Sequence, residues 1–166
     1  MTHPNGSAHD SCYIYNLAIK FLLENRTDPD RAEKCFEFCL NETESFEVAK
    51  TLGPHGYVGQ NVNHWLVQAK NMFEEFKKSN KEPLVSMLPE ALSAQGWLKV
   101  CTSLSFYWLL RAKDIEGSVY DYVIRETIRC GGDTDTNACI VGGMIGGLLH
   151  AVATVTFQVD HIISGV

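Results

Sequence analysis

Apolar residues recur every three or four positions through most of the chain, the spacing that places them on one side of an α-helix. In the first such run, Ser7 and Asp10 have the spacing of a helix-capping pair, and the apolar pattern continues to about Leu23. The positions that repeat are Tyr13, Ile14, Leu17, Ala18 and Phe21. The pattern therefore predicts a helix close to the start of the sequence.

Three further helices are predicted before residue 80. Asp28 and Pro29 have the residue types of an N-cap and a first helical position, and a short third helix is expected over 43–52, before a glycine–proline pair. Asn61 is the expected cap of the fourth, which should end in a charged linker over 77–82. The apolar faces are Ala32, Cys35, Phe36, Cys39 and Leu40 in the second helix, and Val62, Trp65, Leu66, Ala69, Met72, Phe73 and Phe76 in the fourth.

The second half of the sequence continues the helical pattern. A helix is expected to start near Pro89, a strongly apolar one to run from residue 98 to residue 110, and another to span 117–129. Only residues 152–159 are β-prone. The sequence thus predicts an all-α, multi-helix bundle, and 166 residues are enough for one domain that spans 1–166.

The stretch 137–159 contains no Asp, Glu, Lys or Arg and carries pairs of glycines four residues apart. One interpretation is a membrane-spanning helix, because the length suffices for a bilayer and such glycine spacing occurs between membrane helices. The other is a central helix buried on all sides. The second is favoured, because the run begins on an acidic cluster and lacks flanking basic residues and an aromatic belt.

Charge and cysteine usage exclude several classes of protein. The net charge is −6, and no basic cluster is longer than Lys77–Lys78, so a nucleic-acid-binding surface is not expected. The six cysteines form no CxxC pair, and no secretory signal precedes them, which favours a reducing intracellular compartment, most simply the cytoplasm. Cys35 and Cys39, one helical turn apart, are expected in the core.

The segment 131–137, Gly-Gly-Asp-Thr-Asp-Thr-Asn, concentrates side-chain oxygens at the start of a helix. Glycines permit a tight turn, and carboxylate and hydroxyl oxygens are the ligands of hard cations such as Mg²⁺. Asp133, Asp135 and Thr136 are the candidate metal ligands. The alternative is that Asp133 or Thr134 caps the helix and the neighbouring side chains are only solvated.

This string, with Ala138 and the glycines at 142, 143, 146 and 147, resembles the signature of the ADP-ribosylglycohydrolase family, which includes dinitrogenase reductase activating glycohydrolase and J1 crystallins. The resemblance implies an all-α domain that hydrolyses ADP-ribose linkages on modified proteins with two Mg²⁺ ions. It places Asp133, Asp135 and Thr136 on those ions.

The resemblance also suggests residues on the ligand side. The Thr-His start of the chain is similar to the family's, where the histidine, here His3, lies near the ribose. The Gly-Trp-Leu string at 96–98 is similar to a loop that borders the ligand pocket, so Trp97 is a candidate for stacking. Gly132 in the turn is assigned to substrate binding with them.

Complete family members carry an earlier Thr/Ser-Asp-Asp motif for the same metal pair, but this sequence contains no Asp-Asp dipeptide and no early glycine-rich phosphate loop. Its tail, 150–166, also departs from the family pattern. Half of the dinuclear site is therefore expected to be missing, and no catalytic residue is assigned. Glu126 or Asp121 could supply a second carboxylate, although surface exposure is the simpler expectation for both.

Two functions remain open on this basis, beside the interpretation that the chain is an unrelated helical protein with a capped, glycine-rich core helix. The chain could be a hydrolase of ADP-ribosylated proteins whose missing half comes from another polypeptide. It could instead be an inactive member that serves as a structural or binding subunit of a larger assembly. In both cases helix faces would be left exposed, so a protein partner or an oligomer is expected, and a membrane or a nucleic acid is not.

Overall fold

The computed structural model describes residues 6–44, 61–82, 87–89, 92 and 98–149, and this part of the chain contains helices and no strands. The helices are α1 (Gly6–Glu24), α2 (Arg31–Glu44), α3 (Val62–Ser79), α4 (Leu98–Arg111), α5 (Val119–Arg129) and α6 (Thr134–Leu149), with a 3-10 turn at Ala112–Asp114 after α4. The all-α prediction is confirmed. The third helix predicted over 43–52 lies, beyond Glu44, outside the described residues, as do the β-prone residues 152–159.

The ends of α3 follow from its sequence. Asn61 has extended backbone geometry, and its side-chain oxygen accepts a hydrogen bond from the Asn63 backbone N–H at 2.8 Å, as the N-cap prediction requires. At the other end, Asn80 adopts a left-handed conformation with φ 52°, and its N–H donates to the Phe76 carbonyl at 2.7 Å. Every residue predicted for the apolar face of α3 is buried.

The predicted start of α2 is two residues too early. Asp28 and Pro29 precede the helix, which begins at Arg31, because the Asp28 carboxylate accepts a hydrogen bond from the Asp30 N–H at 2.9 Å and forms a separate turn. The Arg31 side chain then crosses the bundle, where its Nη2 donates to the Leu148 carbonyl in the last turn of α6 at 2.8 Å. The positive charge of the guanidinium also interacts favourably with the negative C-terminal end of the α6 dipole.

The central helix of the bundle is α4. All its residues from Val100 to Arg111 are buried, and α3, α6, α2 and α1 pack around it. Its largest side chains, Phe106, Tyr107 and Trp108, are fully enclosed. A helix enclosed on all sides has no solvated polar face. The buried serines of α4 instead donate to backbone carbonyls, Ser103 to Trp65 and Ser105 to Cys101.

The prediction that the uncharged run after residue 137 is buried on all sides is wrong for α6. Its residues Asn137, Val141, Met144 and Leu148 are buried, but Cys139 and Gly143 on the opposite side are exposed. The glycines of α6 make its sequence look like that of a buried helix, because they carry no charge. They add little apolar surface, however, so the helix can leave one side exposed. None of the described helices is long and apolar enough to cross a membrane.

The glycines of α6 allow its neighbours to approach closely. A Cβ built on Gly142 would lie 2.9 Å from the hydroxyl of Tyr120 in α5, and one on Gly147 would lie 3.2 Å from Ile19 in α1. A Cβ on Gly143 would collide with the hydroxyl of Tyr15, which donates a hydrogen bond to the Ile140 carbonyl at 2.8 Å. The helix is therefore held between α1 and α5 at distances that side chains would prevent.

A buried polar group, the Glu82 cluster, joins the end of α3 to α4 and α5. It consists of Glu82, Tyr107, Arg111 and Tyr122. The Glu82 carboxylate accepts hydrogen bonds from both tyrosine hydroxyls and lies 3.4 Å from the Arg111 Nε. The guanidinium also stacks 3.8 Å from the centre of the Phe76 ring. Only 9% of the Arg111 side chain and 16% of the Glu82 side chain are exposed, so this ion pair is largely shielded from water.

The cysteines are free thiols, and most of them pack in the interior as predicted. Cys35, Cys39, Cys101 and Cys130 are buried, whereas Cys12 and Cys139 are exposed. Burial raises the pKa of Cys101 to about 11, which keeps its thiol neutral at physiological pH. The buried thiols act as small apolar side chains.

Candidate functional site

The candidate site begins where α5 ends in a tight glycine turn. The Cys130 N–H donates to the Glu126 carbonyl at 3.2 Å, and the Gly131 N–H donates to the Ile128 carbonyl at 3.1 Å, which closes the last turn of α5. Gly131 and Gly132 follow with φ 77° and 71°, in the left-handed region that favours glycine. A Cβ on Gly131 would also lie 2.6 Å from Leu92. Two successive residues therefore depend on being glycine.

The turn delivers the acidic residues directly to the N-terminus of α6. The Asp133 carbonyl accepts the first hydrogen bond of the helix, from the Asn137 N–H at 3.0 Å, so Asp133 occupies the N-cap position. Asp135 lies in the first turn, and its carboxylate accepts a hydrogen bond from the Thr136 N–H at 2.9 Å. The capping alternative thus accounts for the place of Asp133 but leaves the Thr136 hydroxyl without an assigned role.

The carboxyl groups of Asp133 and Asp135 lie close to each other. The Thr136 backbone N–H is the main cause of a lowered pKa at Asp135, and a hydrogen bond with the Asp133 side chain is the second. Asp135 and Thr136 are exposed, and Asp133 is partly exposed. The two carboxylates therefore lie near each other at an accessible helix end, and Asp135 is held in its charged form.

The residues present fit one side of a hard-cation site. Two carboxylates and a hydroxyl, three oxygen donors in all, match the chemistry of Mg²⁺, whose octahedral shell takes six oxygens. The N-terminal end of a helix carries partial positive charge, so the carboxylates are needed before a cation is attracted there. Within the described ranges no group of three or more His, Cys, Asp or Glu side chains could hold a metal. The further ligands would be water, substrate or another chain.

Asp121 and Glu126, the two carboxylates suggested as an additional acid or base, lie at different distances from the candidate ligands. Asp121 is exposed in the first turn of α5, nine residues before Cys130, which places it about 14 Å along the helix from the glycine turn. Glu126 is nearer but forms an ion pair with Arg129. Neither is placed for chemistry at Asp133.

Cys130, the thiol next to the turn, has a packing role. It is buried, and its Sγ donates to the Glu126 carbonyl at 3.2 Å. Burial, with Glu126 and Glu82 nearby, raises its pKa to about 12. A thiol that stays protonated is a poor nucleophile, which agrees with the packing interpretation of this residue.

Of the three residues assigned to substrate binding, the structure describes one. Gly132 is part of the turn, while His3 and Trp97 lie outside the described residues. Sequence reasoning missed Leu92, which packs on Gly131, and the Glu82 cluster behind α5. The first had no local signal, because Leu92 precedes Gly131 by 39 residues in the sequence. The second had no local signal, because its members come from three distant segments.

Comparison with known proteins gives one family. A protein-family model described as ADP-ribosylglycohydrolase matches residues 1–153. No curated protein and no solved structure matches this chain significantly. The matched range includes the glycine turn and the whole of α6.

Proposed function

Because this chain belongs to the ADP-ribosylglycohydrolase family, we propose that it binds ADP-ribose on modified proteins and takes part in Mg²⁺-dependent hydrolysis of that linkage. The observation that carries the proposal is the group of three oxygen side chains at the glycine turn. Asp133, Asp135 and Thr136 lie at one helix end, and the pKa of Asp135 is lowered there. A family member needs these groups for the cation, whereas a simple helix cap needs only one of them.

The residues of this chain would have separate tasks. Asp133, Asp135 and Thr136 would hold Mg²⁺, which, when bound, stabilises negative charge on substrate oxygens and orients a water or ribose hydroxyl. The left-handed conformations of Gly131 and Gly132 fix where the two carboxylates stand, and Gly132 presents backbone without a side chain to the substrate. A general acid or base is not assigned to any residue described above.

The surface next to the ligands supports a partner. We define the α6 groove as the exposed surface that α6 forms with its two flanking helices. It includes the exposed Cys139 of α6, the edge side chain Leu23 of α1, and the edge side chains Tyr120 and Ile128 of α5. These three edge side chains are each more than 40% exposed although they are large and apolar. We propose that a second polypeptide packs on this groove and supplies the missing oxygen ligands.

The second candidate is a binding or structural subunit without activity. It is favoured by the small number of candidate ligands, since three oxygen side chains hold Mg²⁺ weakly without further carboxylates. The free thiols suit a reducing compartment for either function.

Calorimetric titration of ADP-ribose into the purified chain, with Mg²⁺ and with a chelator, tests the proposed function. We expect Mg²⁺-dependent binding that weakens at least about tenfold in Asp135→Ala, because a direct ligand is lost and even outer-shell partners have effects of that size. Asp121→Ala is the matched control, since it removes an exposed aspartate at the far end of α5 and should change nothing. Binding that ignores Mg²⁺, or equal losses in both variants, would rule out Asp135 as a ligand.

Analytical sedimentation, together with the binding of an apolar dye, tests whether the α6 groove is an interface. If the α6 groove is an interface, the chain alone should self-associate or bind apolar dye. Leu23→Lys together with Ile128→Lys should remove that behaviour while the fold remains, because both side chains are more than 40% exposed. A compact monomer with no dye binding would contradict the interface.

A further inference from the structure

The geometry of the candidate site depends on α5 as well as α6. Only residues 130–133 connect the end of α5 at Arg129 with the start of α6 at Thr134. Two of these residues, Gly131 and Gly132, adopt left-handed conformations that a turn of this length requires. A small rotation of α5 is therefore transmitted through the turn to Asp133, without a flexible loop to absorb it.

The packing of α5 leaves it supported mainly on one side. It packs chiefly against α6, where Tyr120 and Ile124 lie against Gly142, and its inward residues Val123 and Thr127 are fully buried. Ile128 is exposed. At Gly142 this contact is made by side chains of α5 only, because glycine offers no side chain to interlock with its neighbour.

Tyr122 provides a second point of attachment. Its hydroxyl donates a hydrogen bond to the Glu82 carboxylate at 3.1 Å, and its ring packs edge-on to Trp108 with centroids 6.0 Å apart. Glu82 is itself held by its ion pair with Arg111, which remains when either tyrosine hydroxyl is removed. Among the described residues, this is the hydrogen bond that ties an α5 side chain to a part of the bundle other than α6.

We infer that Tyr122 is a positioning residue for the cation ligands: its bond to Glu82 fixes the orientation of α5 and so the place of Asp133 beside Asp135. The inference rests on the proposed function, because it assumes that these carboxylates bind a cation. Tyr107 bonds to the same carboxylate from α4, which is enclosed on all sides and needs no such tether.

The two tyrosines offer a matched pair of variants. Tyr122→Phe and Tyr107→Phe each remove one hydroxyl from the same acceptor and keep the aromatic ring. Mn²⁺, which accepts the same oxygen ligands as Mg²⁺, can be titrated into the full chain and its free concentration read by electron paramagnetic resonance. Hydrogen exchange at the Gly131 and Gly132 amides gives a second measurement that needs no metal.

We expect Mn²⁺ affinity to fall about fivefold in Tyr122→Phe and to stay at the wild-type value in Tyr107→Phe, although urea unfolding should register the lost hydrogen bond in both. Exchange at the two glycine amides should accelerate in Tyr122→Phe alone. Equal Mn²⁺ affinities in the two variants would overturn the inference and leave the proposed function standing. No Mn²⁺ binding by the wild-type chain would overturn the proposed function, and the inference with it.

Discussion

Replacing Glu82 with alanine is expected to lower the free energy of unfolding by about 3–5 kcal/mol, the range found when one partner of a buried ion pair is removed. The substitution leaves the Arg111 guanidinium charged, 91% shielded from water and without its counter-ion. The hydroxyls of Tyr107 and Tyr122 lose their acceptor at the same time. Urea unfolding followed by circular dichroism measures the change.

A surface ion pair of the same chemistry provides the control. Glu37 lies 3.0 Å from the Lys70 Nζ, but both side chains are about half exposed, so Glu37→Ala should cost no more than about 1 kcal/mol. If Glu82→Ala does not fold, Glu82→Gln can be measured instead. It retains an acceptor for the tyrosines, so its loss of stability should lie between those expected for Glu82→Ala and Glu37→Ala. A loss below about 1 kcal/mol in Glu82→Ala would mean that water or rearrangement solvates Arg111, and the cluster would have no stabilising role.

The second large effect is expected in α6, at Gly143. Gly143→Val should destabilise the fold by about 1–3 kcal/mol, the usual cost of overpacking, because any Cβ at this position collides with the Tyr15 hydroxyl. That hydroxyl cannot move aside without breaking its hydrogen bond to Ile140. The midpoint of thermal unfolding of the variant, compared with that of the wild-type protein, measures the loss.

The matched substitution is Gly146→Val, in the same helix. A Cβ at Gly146 meets nothing within 4 Å, and valine is no worse a helix former than glycine, so stability should change by less than about 0.5 kcal/mol. In a Tyr15→Phe background the cost of Gly143→Val should shrink, because the colliding oxygen is gone. Equal losses at Gly143 and Gly146 in the wild-type background would indicate a general intolerance of α6 to side chains rather than contact with α1.

The helices were largely predictable because their signals are local, and the candidate cation ligands could be proposed from the sequence for the same reason. A cap such as Asn61 acts on the next three residues, and the oxygen side chains of the site are consecutive in the sequence. Periodicity also identified the apolar face of α3 completely. For such features, spacing along a helix is equivalent to proximity in space.

The parts that could not be predicted depend on distant segments. Glu82 belongs to a charged linker that is typical of a solvated surface, and it is buried only because Tyr107 and Arg111, 25 and 29 residues later, surround it. The exposed side of α6 was missed for another reason. Glycines contribute no side chain to the hydrophobic pattern, so Gly143 gave no indication of which side of the helix faces α1 and which faces the groove.

The two hydrogen bonds that end on α6 carbonyls span almost the entire fold. Tyr15 and Ile140 are 125 residues apart, and Arg31 and Leu148 are 117 apart. Docking α6 therefore closes a very long loop, but the entropy of closure grows only with the logarithm of length, so the added cost over a short loop is a few kcal/mol at most. Deleting α1 or α6 would expose the same interface, because each covers the other.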